Sequence, residues 1–372
     1  MNAESKIGAS LPPIYCISHF FENPKTGGEK YNYEAVRHLK KRGFDTRVLV
    51  DRLMPKFIKG RRFLLYNFFY ILKFLDARRI VLFTTDYMHP RLYLFLLYLK
   101  LFKDCRIFVL VHHLRHHEIE NRILRFLDMR LEAIFLMCAD VLIAISKNTK
   151  SEINQLTRRD NKNISLVYPG LDQIGFETTL RQESDKFNLL FVGDCVKRKG
   201  VEYLIESLAS LNREDVRLHV VGRRDRDPAY SQYLNKLIRK KGIQGKVFFH
   251  GRVDGVGKQK FFRNSHVFVL PSLWEGYGMV VAEAMSYGLP VIATKVGAIP
   301  ELVKDKVNGI LVPPEDAQSL SDAISYLIEN PSARRDYARK SRLLSQDFND
   351  WLHTGEQLVK IFEENIGGRK PR

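Results

Sequence analysis

Long apolar runs are missing from this 372-residue chain. The greasiest windows, residues 63–75 and 92–102, fall short of the roughly 20 apolar residues a spanning helix needs. Lys73 and Lys100 also interrupt them. No crossing of a membrane is expected. Residues 1–13 have no apolar stretch after a basic start, so no secretion signal is expected either. Cysteine is scarce. Cys16, Cys105, Cys138 and Cys195 are too far apart for a metal knuckle or a redox motif. Reduced, buried thiols in a cytoplasmic protein are the expectation. No repeat at a solenoid period occurs. Acidic charge is also in short supply: 42 Asp and Glu stand against 60 Lys and Arg, a formal net charge of +18. Residues 1–150 hold 26 basic against 14 acidic side chains, so most of the excess lies in the first half. Such a balance suits a phosphate-rich or anionic-lipid partner, or simply a solvated positive surface.

What is present is an alternation of short β-like runs and longer helical ones. Residues 14–18, 44–50, 80–84, 105–111 and 141–145 read as strands rich in Val, Ile and Phe, buried on both faces. Helical stretches such as 29–42 and 119–137 lie between them. The second half repeats the scheme, with strands at 188–192, 217–221, 246–250, 266–270, 290–293 and 309–312. Helices are expected at 201–211, 228–241, 256–264, 279–287 and 318–329. The rhythm implies an α/β protein with two parallel, doubly wound sheets. The polar stretch 168–186 reads as the joint. Domains are expected at 1–170 and 171–349, with a helix near 350–366 packing back on the first and a flexible tail at 367–372. Ligands of such sheets bind at the carboxyl ends of the strands.

Residues 270–290 read LPSLWEGYGMVVAEAMSYGLP. A buried strand ends at Leu270, a loop with small residues follows, and a helix starts near Gly278. Small residues before a helix N-terminus let a ligand reach the amides, and the helix end favours anions. Glu275 and Glu283 frame the turn with seven residues between them. A carboxylate beside a phosphate is repelled unless it accepts hydroxyls, so both read as acceptors for sugar and ribose hydroxyls. The plainer alternative makes Glu283 a surface salt-bridge partner.

The Glu-x7-Glu element within PSLWEGYGMVVAEAMSYGLPVIATKVGAIPEL resembles the signature of glycosyltransferase family 4, of the GT-B fold. The similarity runs nearly without gaps over residues 246–314 and more loosely from 188 to about 344. The resemblance implies two Rossmann-like domains facing across a cleft. It places Glu275 by the donor sugar, Glu283 on the ribose, and the backbone of Gly276, Tyr277, Gly278, Met279 and Val280 on sugar and phosphate. Residues 191–200, FVGDCVKRKG, look like the family's phosphate-binding loop, with Lys199 before the glycine and Arg198 beside it. Asp194 stands where the family often has Arg. Thr26-Gly27-Gly28-Glu29 resembles the N-terminal glycine loop that closes over the donor phosphate, which puts Gly28 at the donor. Gly222, Arg252 and Val253 follow strands and are expected to line the base pocket.

His112 follows the strand 105–111 in the run VHHLRHHE, where the family often has His-Asp, and is expected to hydrogen-bond a sugar hydroxyl or bear on the reacting centre. A rival reading of His112 and His116, or His113 and His117, is a zinc pair at helical i, i+4 spacing. Asp225-Arg226-Asp227 mimics an Asp-x-Asp cation motif, but arginines crowd it. The resemblance implies no essential metal and no cofactor beyond the donor. It further implies a retaining transfer from a UDP- or GDP-linked sugar to a hydroxyl of a glycan or lipid-linked acceptor, in assembly of cell-surface polysaccharide, lipopolysaccharide or glycolipid. The basic, aromatic stretches 56–74 and 91–108 suit helices lying in a membrane interface, or buried helices with basic ends. A peripheral enzyme at the inner face of the cell membrane is the expectation. Two alternatives remain: a sugar-nucleotide epimerase of the same architecture, and a basic protein binding nucleic acid or anionic lipid. No nucleic-acid recognition motif is found.

Overall fold

The computed structural model describes residues 12–17, 24, 26–49, 63–77, 79–158, 164–172, 185–253 and 255–366. The chain divides into two compact units, residues 1–170 with 349–372, and residues 171–348. Most of the expected joint and the tail 367–372 lie outside the described residues.

The first unit runs β1 (Ile14–Ile17), α1 (Gly27–Lys41), β2 (Thr46–Leu49), α2 (Phe63–Lys73), β3 (Arg79–Thr85), α3 (His89–Phe102), β4 (Asp104–Val111), α4 (Arg122–Met137), β5 (Val141–Ala144), α5 (Lys147–Thr157) and β6 (Ile164–Leu166). Its six strands are ordered β2-β1-β3-β4-β5-β6, and every pairing is parallel. The continuous apolar runs explain this. Ile107 to Val111 and Val141 to Ala144 are buried throughout, as central strands covered by helices on both faces must be.

The second unit runs β7 (Phe187–Val192), α6 (Val201–Ser210), β8 (Val216–Val221), α7 (Pro228–Lys240), β9 (Val247–Gly251), α8 (Gly255–Asn264), β10 (Val267–Leu270), α9 (Met279–Ser286), β11 (Val291–Thr294), α10 (Ile299–Leu302), β12 (Gly309–Val312), α11 (Ala317–Glu329) and α12 (Pro331–Ser345). Its sheet is ordered β12-β11-β10-β7-β8-β9, again all parallel. Each unit is therefore a Rossmann-like doubly wound sheet. The last helix, α13 (Trp351–Ile366), belongs to the first unit. Phe362 stacks on Phe108 with ring centroids 4.0 Å apart, and Thr354 donates to the Tyr168 carbonyl at 2.9 Å. Truncating so deeply buried a ring typically costs about 3–5 kcal/mol.

Four expectations need correction. Gly27 and Gly28 are the first turn of α1 rather than a loop. Thr26 caps that helix through a reciprocal box with Glu29, which starts it two residues early. Helix α4 begins at Arg122 rather than 119, because the Asn121 side chain accepts from the Ile123 and Leu124 amides. Helix α5 and strand β6 were not expected at all. Finally, residues 91–108 are not one interfacial helix, and the alternative of a buried helix with basic ends holds for α3. The stretch splits into α3 and β4, and Leu92, Phe95, Leu96 and Leu99 of α3 are core. Residues 56–62 of the other stretch lie outside the described residues. Among the described residues no helix is long and apolar enough to cross a membrane.

Candidate functional site

In the second unit the strand order reverses between β7 and β10, which lie side by side. The turns that leave these two strands therefore emerge together, at the place where doubly wound sheets bind ligands. The turn after β7 is a short 3₁₀ stretch, Lys197–Lys199. The turn after β10 carries Ser272 to Gly278. They are stitched together: the Leu273 amide donates to the Arg198 carbonyl at 2.8 Å, and Arg198 Nη1 donates to the Trp274 carbonyl at 2.8 Å.

Glu275 is the centre of this arrangement. Its side chain is buried, the Lys199 ammonium donates to Oε1, and Arg198 Nη1 lies 3.9 Å from Oε2. The Ser272 hydroxyl donates to Oε1 at 2.7 Å. Burial alone would raise the carboxyl pKa, but Lys199 and Arg198 outweigh it and hold it below the ordinary value. Gly297, at φ +50, presses on the same turn, and a Cβ there would meet the Glu275 carbonyl oxygen at 1.9 Å. Only glycine allows that approach.

Helix α9 starts at Met279, shortly after Glu275. Gly278 is its N-cap at φ +90, with no side chain to cap it, and a Cβ would lie 2.6 Å from Ile299 Cδ1. First-turn amides that no cap side chain meets suit an anion. Tyr277 is buried under the turn, its phenol pushed up first by burial and then by Glu301. Glu283 lies further along α9, where Lys258 of α8 donates to both its oxygens at 2.9 Å. Arg252 is exposed and Val253 half-buried, just past β9 at the far side of the sheet.

Asp194 is tied to the turn after β8. It accepts from the Arg223 amide at 3.1 Å and from Arg226 Nη1 at 3.1 Å. The Asp-x-Asp mimic is spent on local structure. Asp225 is bidentate with Arg223 at 2.9 and 2.8 Å, while Asp227 caps α7 through the Tyr230 amide at 3.0 Å. All four cysteines are free and buried, and burial pushes the Cys195 thiol up to about 11.

In the first unit His112 sits at the end of β4, buried. Its Nε2 donates to Asn32 Oδ1 of α1 at 2.8 Å, and a Cβ on Gly28 would lie 3.6 Å from Nδ1. Burial, then His113, lowers its pKa to about 3, so the ring is neutral. Asp86, after β3, holds the backbone here by accepting from the His112 and His113 amides at 2.9 and 3.3 Å. The zinc-pair reading fails on geometry. Residues 115–118 form a 3₁₀ turn, and His113, His116 and His117 face three different carboxylates: Glu118 at 2.9 Å, Glu132 at 2.7 Å and Glu152 at 3.2 Å. Among the described residues no three possible metal ligands gather.

The fold thus brings Arg198, Lys199, Glu275 and the Gly276–Val280 backbone together, and Gly28 beside His112. Arg252 and Val253 stand just past β9, the edge strand two places from β7, rather than in the turn that carries Glu275. Reading the sequence missed Ser272, Lys258, Gly297, Asn32 and Asp86. The only local signal was for Ser272 and Asp86, polar residues just past strand ends.

A model described as Glycosyltransferase Family 4 matches residues 25–173, and one described as Glycosyl transferases group 1 matches residues 176–344. The chain belongs to glycosyltransferase family 4. A D-inositol 3-phosphate glycosyltransferase of Arthrobacter sp. is 31% identical over 250 residues, 62% of this chain and 58% of that protein. The chain spans about three fifths of the length of the curated relatives it matches. Among solved structures, sucrose-phosphate synthase from Thermosynechococcus elongatus superposes with a TM-score of 0.79 at 20% identity, covering 96% of this chain and 100% of that one. HepE of Anabaena, in complex with UDP-glucose, gives 0.71 at 18% identity, over 95% and 99%. At such identities these likenesses establish the GT-B fold of this family 4 chain.

Proposed function

We propose that this family 4 chain is a retaining glycosyltransferase. It moves a sugar from a UDP- or GDP-linked donor to a hydroxyl of a glycan or lipid-linked acceptor. The observation that carries the reading is the buried Glu275, held ionised by Lys199 and Arg198 at the foot of α9. A carboxylate and two cations preset at one turn match a reaction that builds positive charge on the anomeric carbon and negative charge on the leaving diphosphate. Glu275 orients the sugar and steadies the first charge. Lys199, Arg198 and the α9 amides at Gly278–Val280 steady the second. Glu283 accepts the ribose hydroxyls, drawing on Lys258 as its counter-ion. The acceptor hydroxyl attacks from the same face that the diphosphate leaves, and the leaving phosphate takes its proton. No side chain then acts as nucleophile, and no metal is required. Neutral His112 and the adjoining Gly28 belong to the acceptor-side unit, where His112 hydrogen-bonds a sugar hydroxyl. The UDP-glucose complex of the similarly folded HepE supports a nucleotide-sugar donor.

The test is thermal stabilisation by UDP, GDP, ADP and their sugars, with and without EDTA. A ligand at 100 times its dissociation constant adds about 2.7 kcal/mol. One nucleotide class should raise the melting temperature equally with and without EDTA. No shift at millimolar ligand overturns the donor site. Turnover of the donor sugar to its epimer without an acceptor would favour the epimerase instead.

A further inference from the structure

Helix α4 leaves its outward face bare. Every residue from Asn121 to Leu127 is exposed, so the first turns of the helix project beyond the body of the unit. Ile123, Leu124, Phe126 and Leu127 are between 50% and 72% exposed. These turns are well formed, because Asn121 caps the Ile123 and Leu124 amides. The neighbouring helices agree. Helices α2, α3 and α4 pack side by side, and twelve of the twenty exposed large apolar side chains among the described residues lie on them or just past α2. Clusters of this kind mark interaction surfaces.

Charge identifies the partner. Between the apolar residues of α4 stand Arg122, Arg125 and Arg130, all exposed, with Arg130 over the Phe126 ring at 5.0 Å. The two acids of the helix turn inward: Asp128 binds Arg115 at 3.3 Å, and Glu132 is fully buried against the Arg115 amide and His116. The outward face therefore carries only cations and hydrocarbon. A two-fold contact with a second copy would set these arginines against one another. A bilayer with anionic headgroups accepts both components, cations at the phosphates and hydrocarbon below them. We propose that the outward face of α4 docks this protein on an anionic phospholipid membrane. Docking brings the carboxyl end of β4, which leads through the His112 turn into α4, to the lipid surface. This extends the transferase reading to where its acceptor is met, and it is measurable without turnover, so either can fail alone.

The full chain is sedimented with phosphatidylcholine vesicles, with and without phosphatidylglycerol. Binding to the anionic vesicles only, weakening with salt, is expected. The double variant Arg122→Glu/Arg125→Glu should lower it about tenfold or more. Ile123→Ser/Phe126→Ser should lower it comparably. All four residues are exposed, so both variants should keep the melting temperature and its nucleotide response. A polarity-sensitive nitrobenzoxadiazole label on Phe126→Cys, selective because the native cysteines are buried, should shift to the blue on anionic vesicles. Absence of vesicle binding, binding that ignores both variants, or an unshifted label overturns the proposal. So does concentration-dependent self-association that the α4 variants abolish.

Discussion

The ends of β4 and β10 solve the same problem in opposite ways. Each presents a buried polar side chain at the carboxyl edge of a parallel sheet. At β4, His112 is kept neutral: burial lowers its pKa to about 3, and its partner is the uncharged Asn32. At β10, Glu275 is kept charged, because Lys199 and Arg198 outweigh the same desolvation. An isolated buried charge is far costlier than a neutral group with its hydrogen bond made. A charged strand end therefore needs counter-ions from a neighbouring turn, whereas a neutral one needs only a polar neighbour. In the proposed reaction the cations at the charged end meet the departing diphosphate, and the neutral end meets a hydroxyl.

The comparison breaks most visibly at Glu275. Glu275→Gln keeps the shape and the Ser272 contact but removes the charge, so kcat/KM in a transfer assay should fall about 10²–10³-fold. Loss of folding on the same scale would mean the carboxylate is structural. Lys199→Met strips one counter-ion from a buried carboxylate and should cost about 3 kcal/mol in urea unfolding. The double variant should recover part of that cost, and strict additivity would show that the pair is not coupled.

His112 gives the sharper contrast, through pH. Its folded-state pKa lies below its ordinary 6.5, so the unfolded chain binds the proton more readily. Its contribution is intact above pH 6.5 and is lost on acidification toward about 3, at up to about 1.4 kcal/mol per pH unit. Asp86 acts oppositely: burial raises its pKa to about 6, so it favours the folded state as pH falls below that. The measurement is therefore the difference in stability between wild type and His112→Asn from pH 7 to 4, which should shrink with acid. Glu275, with a lowered pKa, contributes stability present above 4.5 and lost only below it. A His112→Asn difference that stays flat with pH would erase the distinction between the two ends.

Gly278→Ala should cost about 2 kcal/mol through its positive φ, with the Ile299 clash added, and should weaken donor binding in the thermal screen. The smallest effect belongs outside both ends. Asp227→Ala removes a helix cap worth about 1 kcal/mol and should leave transfer unchanged, with or without EDTA. An activity loss there would revive the Asp-x-Asp reading.

Most of the fold could be read in advance because parallel strands buried on both faces are written as unbroken apolar runs. All six strands of the second unit were recognisable from their apolar residues, β7, β10 and β11 as such runs and β8 and β9 as alternations of buried with more exposed positions. Strand β6 was not, since Ile164-Ser165-Leu166 is three residues long and has a partner on one side only. The turns after β7 and β10 stood out as chemistry because glycines, cations and a glutamate crowd the ends of such runs. Their support did not. Lys258 reaches Glu283 across 25 residues, and Asn32 reaches His112 across 80.

The sequence by itself determined the two doubly wound sheets, the family and the residues at the strand ends, because apolar periodicity and short-range spacing are local. The tertiary structure alone decided which of those residues are charged. It paired Glu275 with Lys199, left His112 with Asn32, and turned the acids of α4 inward while its arginines stayed in water. Protonation and pairing depend on burial and on distances of a few ångströms between residues far apart in the chain, and only packing sets those.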